Sequence, residues 1–254
     1  MSPTTPIKPV KPIKSALSVI LPAYNEEGNI ERAVRSSAEA VAPLVEEFEI
    51  VAVDDGSRDQ TPSILARMKE EMGSRLAIVT HETNLGYGTA LRAGFDAARG
   101  RLVFYTDADN QFDLKELVDF LPRMDEHDAV LGYRVGRQDG SFRLMVSNGY
   151  NALASLAFGM SVRDLNCSFK LFRREALTSL HLEEDHFFID TEIVVQLHRA
   201  GYRYTQRGVR HYPRTAGKST VKLSDVPFTF AALLKLWVKL RLLSPSKAKL
   251  APHD

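Results

Sequence analysis

LVFYTDADNQ, residues 102–111, runs from an apolar, aromatic and β-branched stretch into two carboxylates separated by one small side chain. Such a run reads as a strand buried on both faces, so Asp107 and Asp109 emerge at the carboxyl end of a strand. Similar runs stand at Leu17 to Leu21, Phe48 to Val53, Leu76 to Thr80 and Ala129 to Leu131. Between them, apolar residues recur at helical spacing: Ile30, Ala33, Val34 and Val41; Leu91, Gly94, Phe95 and Ala98; Leu114, Leu117, Val118 and Leu121. Strand and helix therefore alternate over roughly the first 130 residues, the pattern of an α/β layer with a mainly parallel sheet.

Local signals agree. Thr61-Pro62 offers an N-cap followed by proline at the first helical position, and Asp113 with Glu116 has capping-box spacing. In open parallel sheets ligands bind beyond the carboxyl ends of the strands. Polar clusters fall there: 22–27, 54–59, 81–88 and 107–111. After Gly132 the alternation blurs into an expected helix over 142–158, a strand-like 168–172, a helix over 190–200 and a basic loop over 203–222.

The bulk composition narrows the chemistry. At 254 residues with 44% hydrophobic content, one large domain with appendages is expected. Lys and Arg number 33 against 32 Asp and Glu, so no global field draws nucleic acid, and any phosphate binding must be local. Cys167, the sole cysteine, excludes an internal disulfide and a multi-cysteine zinc site and suits a reducing, cytosolic side. Residues 1–15, with four prolines and three lysines, read as a flexible tail without a signal peptide's apolar run. No apolar stretch reaches the ~20 residues that span a bilayer, leaving only peripheral membrane contact.

Paired carboxylates at a strand end suit Mg²⁺ or Mn²⁺, which takes one or two protein carboxylates and completes its shell with phosphate and water. Gln111 can add an oxygen or order a water. An isolated pair of this kind is more often an acidic loop capping the next helix. Asp54 and Asp55, followed by the turn-permitting Gly56, and Pro22, Ala23, Tyr24 and Glu26 after the first strand, place further carboxylates and a stacking aromatic at the same edge. Each motif alone is an ordinary turn.

Six segments in order, LPAYNEEGNI, VAVDDGSRDQT, NLGYGTALRAGF, YTDADNQF, VLGYR and CSFKLFRR, give the chain from Leu17 to Ser219 a resemblance to glycosyltransferase family 2, in particular its polyprenyl- and dolichyl-phosphate sugar transferases. The resemblance implies a single-domain, Rossmann-like glycosyltransferase A fold. It also implies Pro22, Ala23, Tyr24, Glu26, Asp54 and Asp55 around the nucleoside, and Asp107, Ala108, Asp109 and Gln111 at the metal and diphosphate. Residues 16–133 would form the nucleotide-sugar half and 134–225 the acceptor half, followed by a basic amphipathic segment, 226–254. The activity implied is inverting transfer of a hexose from GDP-mannose or UDP-glucose to a polyprenyl phosphate at the cytoplasmic membrane face.

Arg143 and Ser147, four apart, share a helix face near Arg134, and the trio suits either a phosphate clamp or a solvated face. In the lipid-phosphate branch the matching positions hold the acceptor phosphate. A lipid phosphate is already an anionic nucleophile and needs positioning more than a base. A saccharide or other hydroxyl acceptor needs one, and Asp190 is the candidate; it equally suits a helix N-cap with Glu192 in the first turn. Arg214 resembles the loop arginine that closes over the donor diphosphate, with Lys218 and Ser219 nearby. A non-catalytic nucleotide-sugar sensor or scaffold is the reading from a different class.

Two features depart from the lipid-phosphate branch: Phe112 stands where many relatives have histidine, and DLNCSFK at 164–170 replaces a more usual DxTSGFR. From Pro227, PFTFAALLKLWVKLRLL mixes apolar residues with Lys235, Lys239 and Arg241, suiting a membrane interface or a helix packed on the domain or a dimer contact. Gly217-Lys218-Ser219 lacks a P-loop's first glycine and preceding strand. Asn166-Cys-Ser168 fits a glycosylation triplet without a secretory signal, and the seven histidines lack metal-ligand spacing.

Overall fold

The computed structural model describes residues 16–136, 141–214 and 226–242, except the side chains of 141–143, 226–228 and 241–242. The tail 1–15, Lys218, Ser219 and residues 243–254 lie outside these residues, as does the side chain of Arg143. The strands are β1 (Leu17–Ala23), β2 (Phe48–Asp54), β3 (Leu76–Thr80), β4 (Leu102–Thr106), β5 (Ala129–Val135), β6 (Phe169–Arg173) and β7 (Tyr204–Arg210). The helices are α1 (Ile30–Val41), α2 (Thr61–Met72), α3 (Tyr87–Ala97), α4 (Ser141–Phe158), α5 (Arg174–Thr178), α6 (Ile189–Arg199) and α7 (Val226–Leu242).

Among the described residues the strands form one sheet, ordered β3-β2-β1-β4-β6-β5-β7, in which β6 runs antiparallel to both its neighbours. The expected α/β architecture is present. Strand periodicity divides the core in two: Val19, Leu21, Ile50, Ala52 and Phe104 point to the layer holding α1 and α2, while Ile20, Val51, Val53, Val103 and Tyr105 point to the layer holding α3 and α6. Each fully buried aliphatic side chain contributes roughly 1.5–3 kcal/mol, which is why the inner strands are largely apolar. Gly94 lets α3 lie close on β1, since a Cβ there would stand 2.3 Å from Ile20 Cγ2.

Four expectations are corrected. Within the supposed basic loop, Tyr204–Arg210 is a strand that pairs in parallel with β5. Among the described residues it has a sheet partner on one side alone, and of its seven residues only Val209 is buried, so it shows neither an apolar run nor a clear alternation. The helical pattern around Leu114 to Leu121 forms two 3₁₀ turns, Leu114–Asp119 and Leu121–Asp125, because Pro122 lacks an N–H and disfavours α geometry before it. Asp113 caps as expected by accepting from Lys115 N, but Glu116 accepts from Arg210 N instead of closing the box. Thr61 is not the expected N-cap, a place taken by Gln60: it is the first residue of α2, and its hydroxyl is engaged in accepting from Glu26 N, joining the first two carboxyl-end loops.

At the opposite edge Glu49 staples three elements. It accepts from Ser18 Oγ at 2.7 Å, Arg99 N at 2.7 Å and Arg99 Nη2 at 2.6 Å. Burial alone would raise this carboxyl, but these bonds outweigh it and hold it below its ordinary 4.5. A depressed carboxyl stabilises the fold above its unfolded pKa, and the stabilisation is lost as pH falls through the folded value. Thermal midpoints measured below pH 4.5 are therefore expected to fall less steeply for Glu49→Gln than for the unaltered chain; parallel curves would exclude this role.

Candidate functional site

The carboxyl ends of β1, β2 and β4 bring the expected donor-side residues to one edge. Pro22 and Ala23, the last two residues of β1, are buried, and Tyr24 just beyond it is half-buried. Asn25 takes a left-handed φ of 54°, turning the chain so that its N–H reaches Ser57 Oγ at 2.9 Å. Gly56, at φ 71°, passes so close to Thr83 that a Cβ would stand 2.4 Å from its carbonyl carbon. Asp54 accepts from Ser57 N at 3.0 Å. Asp55, expected near the nucleoside, organises the next loop, accepting from Leu85 N and Gly86 N at 2.9 Å and meeting His81 Nδ1 at 2.7 Å.

Both oxygens of Asp107 accept hydroxyl hydrogen bonds, from Tyr87 at 2.9 Å and Ser168 at 2.6 Å. Asp109 accepts from Gln111 N at 3.1 Å and from Arg214 Nη2 at 3.0 Å, and Arg214 also meets Glu26 at 3.3 Å. Asn110, left-handed at φ 59°, makes the turn that brings Gln111 N back onto Asp109. Burial, then the neighbouring Asp109 carboxylate, pushes Asp107 up to about 7 despite the Ser168 and Tyr87 bonds. Burial likewise raises Glu26 against the pull of Asn29 and Arg214. Crowded carboxylates with raised affinity for positive charge, sharing one guanidinium, fit a divalent cation. Among the described residues no group of three or more His, Cys, Asp or Glu side chains could hold a metal by itself. A site completed by substrate phosphates has that sparse protein donor set.

Gln111, expected as a metal ligand, donates its amide Nε2–H to Tyr212 O at 2.9 Å. Asp190 is not the N-cap, which is Phe188. Its Oδ1 is 2.5 Å from Lys170 Nζ and accepts from Tyr105 Oη, with Lys170 fully buried. Glu192 accepts from Glu183 N and Glu184 N, shaping the loop before α6. Tyr87, Ser168 and Lys170 were not singled out from sequence, although all three sit in segments that carry the family resemblance.

On the acceptor side, Arg134, the last residue but one of β5, makes a two-pronged ion pair with Asp164, Nε to Oδ2 at 2.7 Å and Nη2 to Oδ1 at 2.8 Å. The expected clamp therefore has this guanidinium engaged by a carboxylate. Ser147 is half-buried on α4, and whether Arg143 joins it lies outside the described side chains.

The sequence model of the family described as "Glycosyl transferase family 2" matches residues 18–180. Glycosyltransferase AglD of Haloferax volcanii is 35% identical over 236 residues, 88% of this chain and 37% of that protein. Dodecaprenyl-phosphate galacturonate synthase of Rhizobium johnstonii is 33% identical over 87% of this chain and 65% of its own. An undecaprenyl-phosphate 4-deoxy-4-formamido-L-arabinose transferase of an Enterobacter species is 34% identical over 68% of this chain and 54% of its own. The chain thus spans between 37% and 65% of the length of these relatives. Glucosyl-3-phosphoglycerate synthase of Mycobacterium tuberculosis, solved with Mn²⁺, uridine diphosphate and glucosyl-3-phosphoglycerate, superposes with a TM-score of 0.67 at 21% identity, covering 92% of this chain and 82% of that one. The fold is thus the glycosyltransferase A fold, and with the family match over most of the sheet the chain belongs to glycosyl transferase family 2.

Proposed function

We propose that the chain transfers a hexosyl group from a GDP- or UDP-linked sugar to a hydroxyl acceptor, with Mg²⁺ or Mn²⁺ at Asp107 and Asp109. The observation that carries this is the meeting of Asp109, Arg214 and Glu26 beside Asp107 at the carboxyl edge of the sheet. A bound divalent cation supplies Lewis-acid stabilisation of the departing nucleoside diphosphate. Arg214 donates its guanidinium fork to the diphosphate. Pro22, Ala23, Tyr24 and Asp54 border the nucleoside, while Asp55 holds the loop that closes that pocket. Asp190, oriented through Oδ1 by Lys170 and Tyr105, takes the acceptor's hydroxyl proton with its other oxygen.

A second reading keeps the donor and makes the acceptor a polyprenyl phosphate. It is favoured by the names of two curated relatives and by apolar side chains exposed on α4 (Met145, Leu153, Leu156) and on α7 (Phe230, Leu234, Val238), which suit peripheral contact with a membrane face. Arg134 and Ser147 would then orient the phosphate, and no base is needed. Among the described residues no helix is long and apolar enough to cross a membrane.

Radiolabelled UDP- and GDP-hexoses with Mn²⁺ and either polyprenyl phosphate or hydroxyl acceptors separate these readings, since lipid product partitions into the organic phase. Asp190→Asn is expected to lower transfer to a hydroxyl by roughly 10²–10⁴-fold. Organic-phase product that survives this substitution would replace the first reading by the second. Donor binding without transfer or hydrolysis would leave a nucleotide-sugar sensor.

A further inference from the structure

The segment carrying Arg214 is fastened to the metal loop at its base. Gln111 O accepts from Tyr212 N at 2.8 Å, and Gln111 Nε2 donates to Tyr212 O at 2.9 Å. Next to these bonds, Phe112 and His211 form an isolated antiparallel bridge. The Phe112 ring, 8% exposed, stands edge-on to His211 at 5.3 Å and tilted against Phe169 at 5.5 Å. A single bridge is a weak main-chain attachment, and the ring contacts and the amide bond reinforce it. Two residues on, Arg214 reaches back to Asp109, whose other oxygen is held by Gln111 N. The contacts close a ring: Asp109, Gln111, Tyr212, Arg214 and Asp109 again.

We propose that Gln111, Phe112 and His211 form a latch that aims Arg214 at the metal and diphosphate position, making Gln111 a positioning residue through its main chain and its amide Nε2. The inference rests on the proposed donor chemistry. With the latch closed, Arg214 serves as the counter-charge of Asp109 and Glu26. When a divalent cation takes that role, the guanidinium turns to the diphosphate by side-chain rotation, because its backbone stays pinned to the loop that bears Asp109. The latch thereby joins two groups far apart in sequence into one unit of fixed geometry.

The test uses Gln111→Met, which keeps side-chain length but removes the amide, and Phe112→Leu, each with and without Arg214→Ala. Each single substitution is expected to reduce kcat roughly 10- to 100-fold and to weaken Mn²⁺·nucleoside-diphosphate binding in calorimetry, with KM for the acceptor unchanged. Combined with Arg214→Ala, either should add less than about twofold, because the latch acts through that residue. Without any ligand, Arg214 Nε–H relaxation by NMR should report an ordered side chain that becomes mobile in Gln111→Met. Full additivity, or an Arg214 equally ordered in both proteins, would overturn the latch. Loss of Mn²⁺ binding by Gln111→Met both with and without Arg214→Ala would make Gln111 a ligand instead. Failure of the unaltered chain to bind Mn²⁺ with either nucleotide would sink the functional reading alone, and the ligand-free NMR comparison would still decide the latch.

Discussion

Asp109→Ala is expected to lower kcat/KM for transfer by at least about 10³-fold, because losing several kcal/mol of charge stabilisation costs a factor of ten for about every 1.4 kcal/mol. Asp109 is the carboxylate whose partner is the cationic side chain Arg214, whereas both oxygens of Asp107 are already engaged by Tyr87 and Ser168. It is therefore the oxygen donor most readily exchanged from a guanidinium to a metal. The fold should persist, since Asp109 lies at the sheet edge and Arg214 retains Glu26. The measurement is steady-state transfer at saturating Mn²⁺ beside thermal unfolding. Turnover within about tenfold of the unaltered chain, where an essential ligand would cost far more, would sink the metal assignment.

Lys170→Met tests the floor of the site through stability. Lys170 is fully buried, pairs with Asp190 at 2.5 Å, donates to Cys167 O at 2.6 Å and lies 5.3 Å from the Tyr105 ring centroid. Removing its charge leaves the Asp190 carboxylate buried beside Asp107, and breaking a pair of this kind costs roughly 3–5 kcal/mol. For a chain of this size the thermal midpoint should fall by roughly 6–20 °C. Replacing both partners, Lys170→Met with Asp190→Leu, should recover much of that loss, because neither charge then requires solvation. Equal midpoints for the single variant and the unaltered chain would show that the ion pair carries no such stability.

These two tests fall on opposite sides of what could be read before folding. Asp109 was legible because a buried strand announces itself as an apolar run, and the carboxyl-edge rule then places whatever follows it. The same reasoning located Tyr24, Glu26 and Asp54. It could not distinguish Asp54 from Asp55, since adjacent side chains at a strand end diverge, and only the fold shows Asp55 bonded into the 81–86 loop. Lys170 interrupts an apolar strand, an anomaly visible in sequence, but its partner depends on how α6 packs over β6. Tyr87 and Ser168 carried no chemical signal, because hydroxyl groups serve caps and surfaces as often as sites. β7 was missed because an edge strand needs no apolar run.

The order of residues along the chain settled the mainly parallel sheet and the acidic residues gathered at its carboxyl edge, because buried strands and helices impose distinct apolar periods. Family membership followed from six segments whose order survives without any knowledge of their contacts. What only the tertiary structure decided were the pairings: Arg214 with Asp109 and Glu26, Arg134 with Asp164, Lys170 with Asp190, and Gln111 with Tyr212. The physical reason is that a charged or amide group is satisfied by whichever complementary group packing brings within about 3 Å, and that distance is independent of separation along the chain.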